Sequence, residues 1–175
     1  MIHPEENAPG PLPQLIDPVL DAHFMNEALR LAKKAARLDE VPVGAVIVRQ
    51  GDIVGRAWNQ VETLKDATAH AEMLALTQAE SAAGDWRLTD CDLYVTKEPC
   101  PMCAGAIVWA RIKKLCFGAS DSRTGSCGSI LDIVQNNSFN HRIEIKKGVL
   151  CGECKNIITN FFKIKRTLTS ANQKK

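Results

Sequence analysis

Residues 93–110 read LYVTKEPCPMCAGAIVWA, and the fold turns on how this stretch changes character. Leu93–Thr96 is a short β-rich run, and it leads straight into Pro99-Cys100-Pro101-Met102-Cys103 at the start of a helical stretch that ends near Ala110. A strand that runs into a helix in this way is the building unit of an α/β sheet. The neighbouring sequence repeats the pattern. Upstream, Phe24, Ala28, Leu31, Ala35 and Leu38 recur at spacings of three and four, which predicts a first helix over 17–38 with Asp17 as cap and Pro18 in its first turn. Val43–Arg49 and Ile53–Trp58 are two β-rich runs hinged at Gly51-Asp52, a hairpin signal. After a polar loop comes a helix from about Ala69 to Ala83, ended by Gly84. Downstream, Leu115–Phe117 suits a buried strand, Ile143–Lys147 alternates like another, and Val149–Lys165 reads as a last helix. The segment between them, Ala119–Asn140, is rich in Gly, Ser and Asn and reads as long surface loops, while Trp58 and Trp109 lie in apolar runs and read as core.

The chain has 175 residues, the size of one ordinary domain. Hydrophobic residues make up 45% and charged residues 24%, the balance of a globule, and no apolar run approaches the ~18 residues that cross a membrane. The opening MIHPEENAPGPLPQL lacks the basic start and apolar stretch of a secretory signal, so a cytoplasmic location is expected. Five of the eight prolines fall within residues 1–18, which predicts a flexible or extended arm there. Residues 155–175 carry six Lys/Arg and no Asp/Glu, so the first 154 residues stand at −4 against a total of +2. A basic end of this kind suits either a polyanion partner or a solvated tail.

Seven cysteines without a secretory signal read as thiols, metal ligands or core residues rather than as a disulfide framework. Cys100 and Cys103, three apart on a helix, share a face, and together with His70 they offer the thiolate and imidazole ligands that suit zinc. Three ligands leave a fourth position open, the mark of a catalytic rather than a structural zinc, since water held there reaches a pKa near 7. Both ligand groups fall at predicted helix N-termini, whose dipole ends favour thiolate. Glu72 is turned too far from His70 on a regular helix to share the ion, yet at a distorted first turn it could reach a bound water as a proton shuttle. Cys151 and Cys154 repeat the CxxC spacing without a local His, and read as spare thiols; Cys91, Cys116 and Cys127 read as core or loop residues. His141 suits either a phosphate contact or a solvated loop.

His70-Ala71-Glu72 followed by Pro99-Cys100-Pro101-Met102-Cys103 fits the H-x-E…P-C-x-x-C signature of the zinc nucleobase deaminases. The chain resembles one branch of them, the bacterial tRNA-specific adenosine deaminases (TadA), across Phe24 to Arg166. The likeness is carried by Glu40-Val41-Pro42-Val43-Gly44-Ala45, Trp58-Asn59, Thr68 to Glu72, Glu98 to Ala106, Phe117-Gly118-Ala119, Asn140-His141-Arg142 and Phe161-Phe162. The resemblance implies a three-layer α/β/α, cytidine deaminase-like fold with a mixed sheet of about five strands. It implies a deaminase domain over 19–168 between the arm at 1–18 and a basic tail at 169–175. It implies one zinc per chain on His70, Cys100 and Cys103, and Glu72 as general acid/base. It further implies Asn59 bonded to the adenine ring, Val43 against the base, the Ala71 backbone nearby, and Asp121 in an RNA-contacting loop. Phe161, Phe162, Lys163, Lys165 and Arg166 match the family's RNA-binding helix. The expected reaction is adenosine to inosine at the wobble position of a tRNA anticodon loop, by a homodimer. One departure stands out, Ala67 where the family usually has proline before Thr68. Two rival readings share features of this sequence: a free guanine or cytosine deaminase, and a zinc-stabilised RNA-binding module without catalysis.

Overall fold

The computed structural model describes residues 17–172; residues 1–16 of the proline-rich arm and 173–175 of the basic tail lie outside the described residues, and positions 17 and 18, counted with the arm, open the first helix. In chain order the elements are α1 (Asp17–Arg37), β1 (Gly44–Arg49), β2 (Asp52–Trp58), α2 (Val61–Leu64), α3 (Ala71–Ala83), β3 (Cys91–Lys97), α4 (Pro101–Trp109), β4 (Lys114–Ala119), β5 (Glu144–Lys147) and α5 (Cys151–Asn172). The five strands form one mixed sheet in the order β2-β1-β3-β4-β5. β1 runs antiparallel to both β2 and β3, whereas β3, β4 and β5 are parallel. This is the α/β/α architecture that the resemblance implied.

Alternation along the strands divides the core in two. Ala45, Ile47, Leu93, Val95, Leu115 and Phe117 face the layer of α3 and α4, and Val46, Val48, Tyr94 and Cys116 face that of α1 and α5. β4 is buried along its whole length, as a parallel strand covered on both faces must be. Two glycines mark where a helix rides close on the sheet. A Cβ at Gly44 would lie 2.1 Å from the carbonyl oxygen of Ala28 in α1, and one at Gly118 would lie 2.3 Å from Cys154 Sγ in α5.

Some boundaries differ from the sequence reading for identifiable reasons. The hairpin turn is Gln50-Gly51, one residue earlier than expected, because Arg49 pairs with Asp52 and the two residues between them take the positive φ angles of a tight two-residue turn. The last helix continues past Lys165 to Asn172, where no proline or glycine interrupts it and the Thr167, Thr169 and Ser170 hydroxyls donate back to carbonyls one turn earlier. The segment 119–140 is only partly a surface loop: Ser126, Cys127 and Val134 are buried, and Cys127 bridges to Asp132. Trp109 is 70% exposed, not core, since it projects from the end of α4 rather than under it.

The layer under α1 holds a buried charge cluster. Asp21, 2% exposed, accepts from Tyr94 Oη at 2.7 Å and pairs with Lys114 Nζ at 3.0 Å and Lys146 Nζ at 2.5 Å, tying α1 to β3, β4 and β5. Burial alone would raise the Asp21 pKa, but its bonds to Lys146, Tyr94 and Lys114 outweigh this and hold it below the ordinary carboxylate value. A carboxylate depressed in the folded state contributes stability above its unfolded pKa and loses that contribution as pH falls through the folded one. Asp21→Asn should therefore cost about 3 kcal/mol at pH 7 by stranding the buried Lys114 ammonium. In urea titrations the gap from the parent protein should narrow below about pH 4, where Asp21 of the unfolded parent takes up its proton while the folded carboxylate still resists it. A gap constant from pH 7 to pH 3 would contradict the assignment.

Candidate active site

The candidate site forms where two helices begin. His70 caps α3 and Cys100 caps α4, each with extended backbone, and Pro101 opens α4 with the preorganised φ of a first helical residue. The chain reaches Cys100 from the end of β3 and reaches His70 through the turn 66–70. In that turn the Asp66 carboxylate accepts from the Thr68 backbone N–H at 2.8 Å and from its hydroxyl at 2.7 Å. This side-chain turn braces the loop where the family usually has proline and Ala67 stands here.

The donor atoms converge as the spacing predicted. His70 Nδ1 lies 3.6 Å from Cys100 Sγ and 3.4 Å from Cys103 Sγ, and the three donor atoms all fall within 4.8 Å of one another. Tetrahedral zinc, with Zn–N of about 2.05 Å and Zn–S of about 2.3 Å, places such a pair about 3.6 Å apart, so the residues fit the ion. The two thiols share a hydrogen bond, which pushes the Cys100 thiol down to about 3 and, together with burial, pushes the Cys103 thiol up. Both sulfurs sit in the first turn of α4, where the helix dipole favours thiolate. Among the described residues this is the only such group of three. Cys151 is exposed while Cys154 is buried against Gly118, so the second CxxC does not assemble a ligand set there.

Beside the cluster opens a cavity of about 280 Å³ lined by Val43, Asn59, His70, Glu72 and Cys100, together with Glu40, Lys97, Glu98 and Thr124. Asn59 follows β2 and is held by its backbone N–H to Val43 O at 3.0 Å. Ala71 is fully buried in the first turn of α3. Glu72, 4% exposed, has its pKa raised by burial. Asp121 does not line the cavity: its carboxylate pairs with Lys97, accepts from Thr124 Oγ1 at 2.5 Å and takes the Arg123 N–H at 2.9 Å. Burial alone would raise the Asp121 pKa, but the Lys97 and Thr124 bonds hold it down.

Two buried glutamates in the cavity wall escaped the sequence reading as functional residues. Glu98 accepts from the backbone N–H groups of Asp121, Cys127 and Ser129 at 2.9, 3.0 and 3.1 Å and from the Ser129 hydroxyl, stitching the 119–129 loop to the residue before Pro99-Cys100. Glu40 makes the corresponding contacts on the Asn59 side. The residues matched to RNA binding lie on α5 and do not line this cavity. Phe161 and Phe162 meet edge to face at 5.4 Å, Lys163 and Arg166 are exposed, and Lys165 Nζ is taken up by Asp39 Oδ2 at 2.5 Å. His141, whose Nε2 lies 2.8 Å from the Ile112 carbonyl oxygen, anchors its loop to the domain.

Comparison with known proteins agrees with this geometry. A MafB19-like deaminase family model matches residues 20–166. The tRNA-specific adenosine deaminase of Bacillus subtilis strain 168 is 46% identical over 154 residues, 88% of this chain and 96% of that protein. A solved structure from work on A-to-I editing by tRNA:A34 deaminases at the wobble position of transfer RNA superposes with a TM-score of 0.75 at 41% identity, covering 77% of this chain and 98% of that one. A guanine deaminase from Bacillus subtilis is 43% identical, but over 56% of this chain and 63% of that one, with a TM-score of 0.54.

The purified protein is expected to carry one zinc per chain, and Cys100→Ser, Cys103→Ser to carry almost none, as read by elemental analysis against protein concentration. Full zinc in the double variant would move the ion elsewhere, Cys151 and Cys154 being the remaining CxxC pair.

Proposed function

The chain belongs to the tRNA-specific adenosine deaminases, and from that membership we propose that it hydrolyses adenosine to inosine at the wobble position of a tRNA anticodon loop. The observation that carries this reading is that His70, Cys100, Glu72 and Asn59 meet at one cavity, with Cys103 behind them, in a chain aligned over nearly the whole length of such an enzyme.

His70, Cys100 and Cys103 would hold one zinc ion, which when bound lowers the pKa of a coordinated water toward 7 and so supplies hydroxide at neutral pH. Glu72 accepts the first proton from the attacking water and delivers it to N1 of the purine ring. It then carries the proton of the new C6 hydroxyl to the amine, so that the C6–N6 bond breaks, ammonia leaves and inosine remains. The burial that raises its pKa suits a carboxylate that must hold a proton between these two transfers. Val43 packs against the base, Asn59 bonds its edge, and the Ala71 backbone lies alongside. A nucleotide must leave its stack to enter such a cavity, which costs least in a single-stranded loop.

On the RNA side, Phe161 and Phe162 offer stacking faces and Lys163 and Arg166 phosphate contacts, with Lys165 already engaged by Asp39. Asp121 acts through Lys97 and the loop it anchors. The proposed unit is the deaminase domain 19–168, flanked by the arm and the basic tail, working on cytoplasmic tRNA. A homodimer is part of the proposal. What supports it is the exposed pair Trp109 and Phe139, 70% and 44% accessible, which line one groove with Val108 and Arg111. No helix among the described residues is long and apolar enough to cross a membrane.

The test is inosine formation in an anticodon stem-loop RNA, run beside free guanine and cytosine as substrates. The parent protein should convert the RNA adenosine and neither free base. Glu72→Ala should remain folded and zinc-loaded, bind the RNA, and lose at least about 10²-fold in kcat. Turnover of guanine in place of the RNA would favour the free-base rival, and a Glu72→Ala variant near parental rate would remove Glu72 from the mechanism.

A further inference from the structure

Glu40 is fully buried, is not a metal ligand, and takes no part in the proton transfers above. It sits between α1 and β1, and its carboxylate gathers three donors from the segment that follows β2. Oε2 accepts from Asn59 Nδ2 at 3.1 Å and from the Glu62 backbone N–H at 3.2 Å, and Oε1 accepts from the Thr63 N–H at 2.6 Å. Burial alone would raise the Glu40 pKa, but these bonds hold it below the ordinary value, so the group stays ionised.

An ionised carboxylate can only accept, so the Asn59 amide must turn its nitrogen toward Glu40. One Nδ2–H is then spent on Glu40. The amide oxygen receives no hydrogen bond from the described residues, yet it is not sealed in the protein, and Asn59 lines the cavity. Asn59 thus offers the cavity an acceptor and one remaining N–H in a fixed order. An adenine edge presents a donor, N6–H, beside an acceptor, N7, and an asparagine amide in one orientation pairs with both. Guanine presents two acceptors, O6 and N7, along the same edge and would meet the amide oxygen with repulsion.

We infer that Glu40 is a positioning residue for base recognition: by holding the Asn59 nitrogen it fixes the order of acceptor and donor that the cavity shows to the purine. This rests on the reading that the cavity receives an adenine. It also explains why a full charge is buried beside the site. A neutral amide at position 40 could donate to the Asn59 oxygen as readily as accept from its nitrogen, and the order would no longer be set.

The test is a double-mutant cycle on inosine formation in the stem-loop RNA, under single-turnover conditions with enzyme in excess so that slow variants remain measurable. Zinc content and thermal unfolding are recorded for each protein. Glu40→Gln should retain zinc and lose about ten- to hundred-fold in kcat/KM, as expected for a hydrogen bond to a charged group. In an Asn59→Ala background the same substitution should cost no more than about twofold, because Glu40 acts through Asn59. An equal loss in both backgrounds would assign Glu40 only to bracing α2 and overturn the inference. So would a Glu40→Gln protein as active as the parent. A parent protein that makes no inosine would instead overturn the functional reading itself. If Glu40→Gln does not fold, Glu40→Asp, which keeps the charge but withdraws it from Asn59, is put through the same cycle with the same criteria.

Discussion

Everything at the site depends on two helices starting at the same place. α3 and α4 bring their N-termini together past the end of β3, the central strand, and the cap position of each is occupied by a metal-ligating side chain, His70 and Cys100, in place of an ordinary polar cap. Neither cap side chain bonds its own helix, which leaves imidazole and thiol free to face each other across 3.6 Å. The same arrangement lodges the sulfur-borne charge where backbone N–H groups and helix dipoles accept it. Moving either helix start would separate the donors, so the layer packing that sets those starts is a condition of the chemistry.

Three buried glutamates stand in or at the cavity wall, and their surroundings divide them into two kinds. Glu40 and Glu98 each receive at least three donors, and both are held below the ordinary carboxylate range despite burial. Glu72 is as deeply buried, but only its own backbone N–H and the neighbouring His70 and Lys97 charges oppose the desolvation, and its pKa goes up. The first two are therefore fixed charges that organise loops, one bracing α2 and Asn59 and the other the 119–129 segment. The third has its pKa raised by burial, as suits a group that must hold a proton between two transfers. One residue type performs both tasks because the count of donors around it, not its identity, decides which proton state is stable.

Much of this was legible in the sequence. Strand and helix periods, the CxxC spacing and the His70-Ala71-Glu72 triplet are local signals, and the structure places their residues as the spacing implied. The supports were harder to read because their partners are remote: Glu98 binds residues 23 to 31 positions away, Glu40 binds residues 19 to 23 away, and Asp21 meets Lys114 at a separation of 93. In sequence such carboxylates look like surface charge. Trp109 misled for the opposite reason. Helix α4 is apolar nearly all round, so no polar face showed which side lay outward, and its last tryptophan proved exposed. The far end of α5 ran on because nothing in 166–172 stops a helix, although the sequence reading began a tail at 169.

Two sulfurs and one imidazole would hold a zinc ion and leave its fourth position open to water. Zinc K-edge X-ray absorption of the purified protein tests it most directly. The expected spectrum has two sulfur scatterers at about 2.3 Å and two nitrogen or oxygen scatterers at about 2.0 Å, one of which is exchanged when a small anion is added. A shell of four sulfurs, or one with no exchangeable light atom, would mark a closed structural site and contradict the claim.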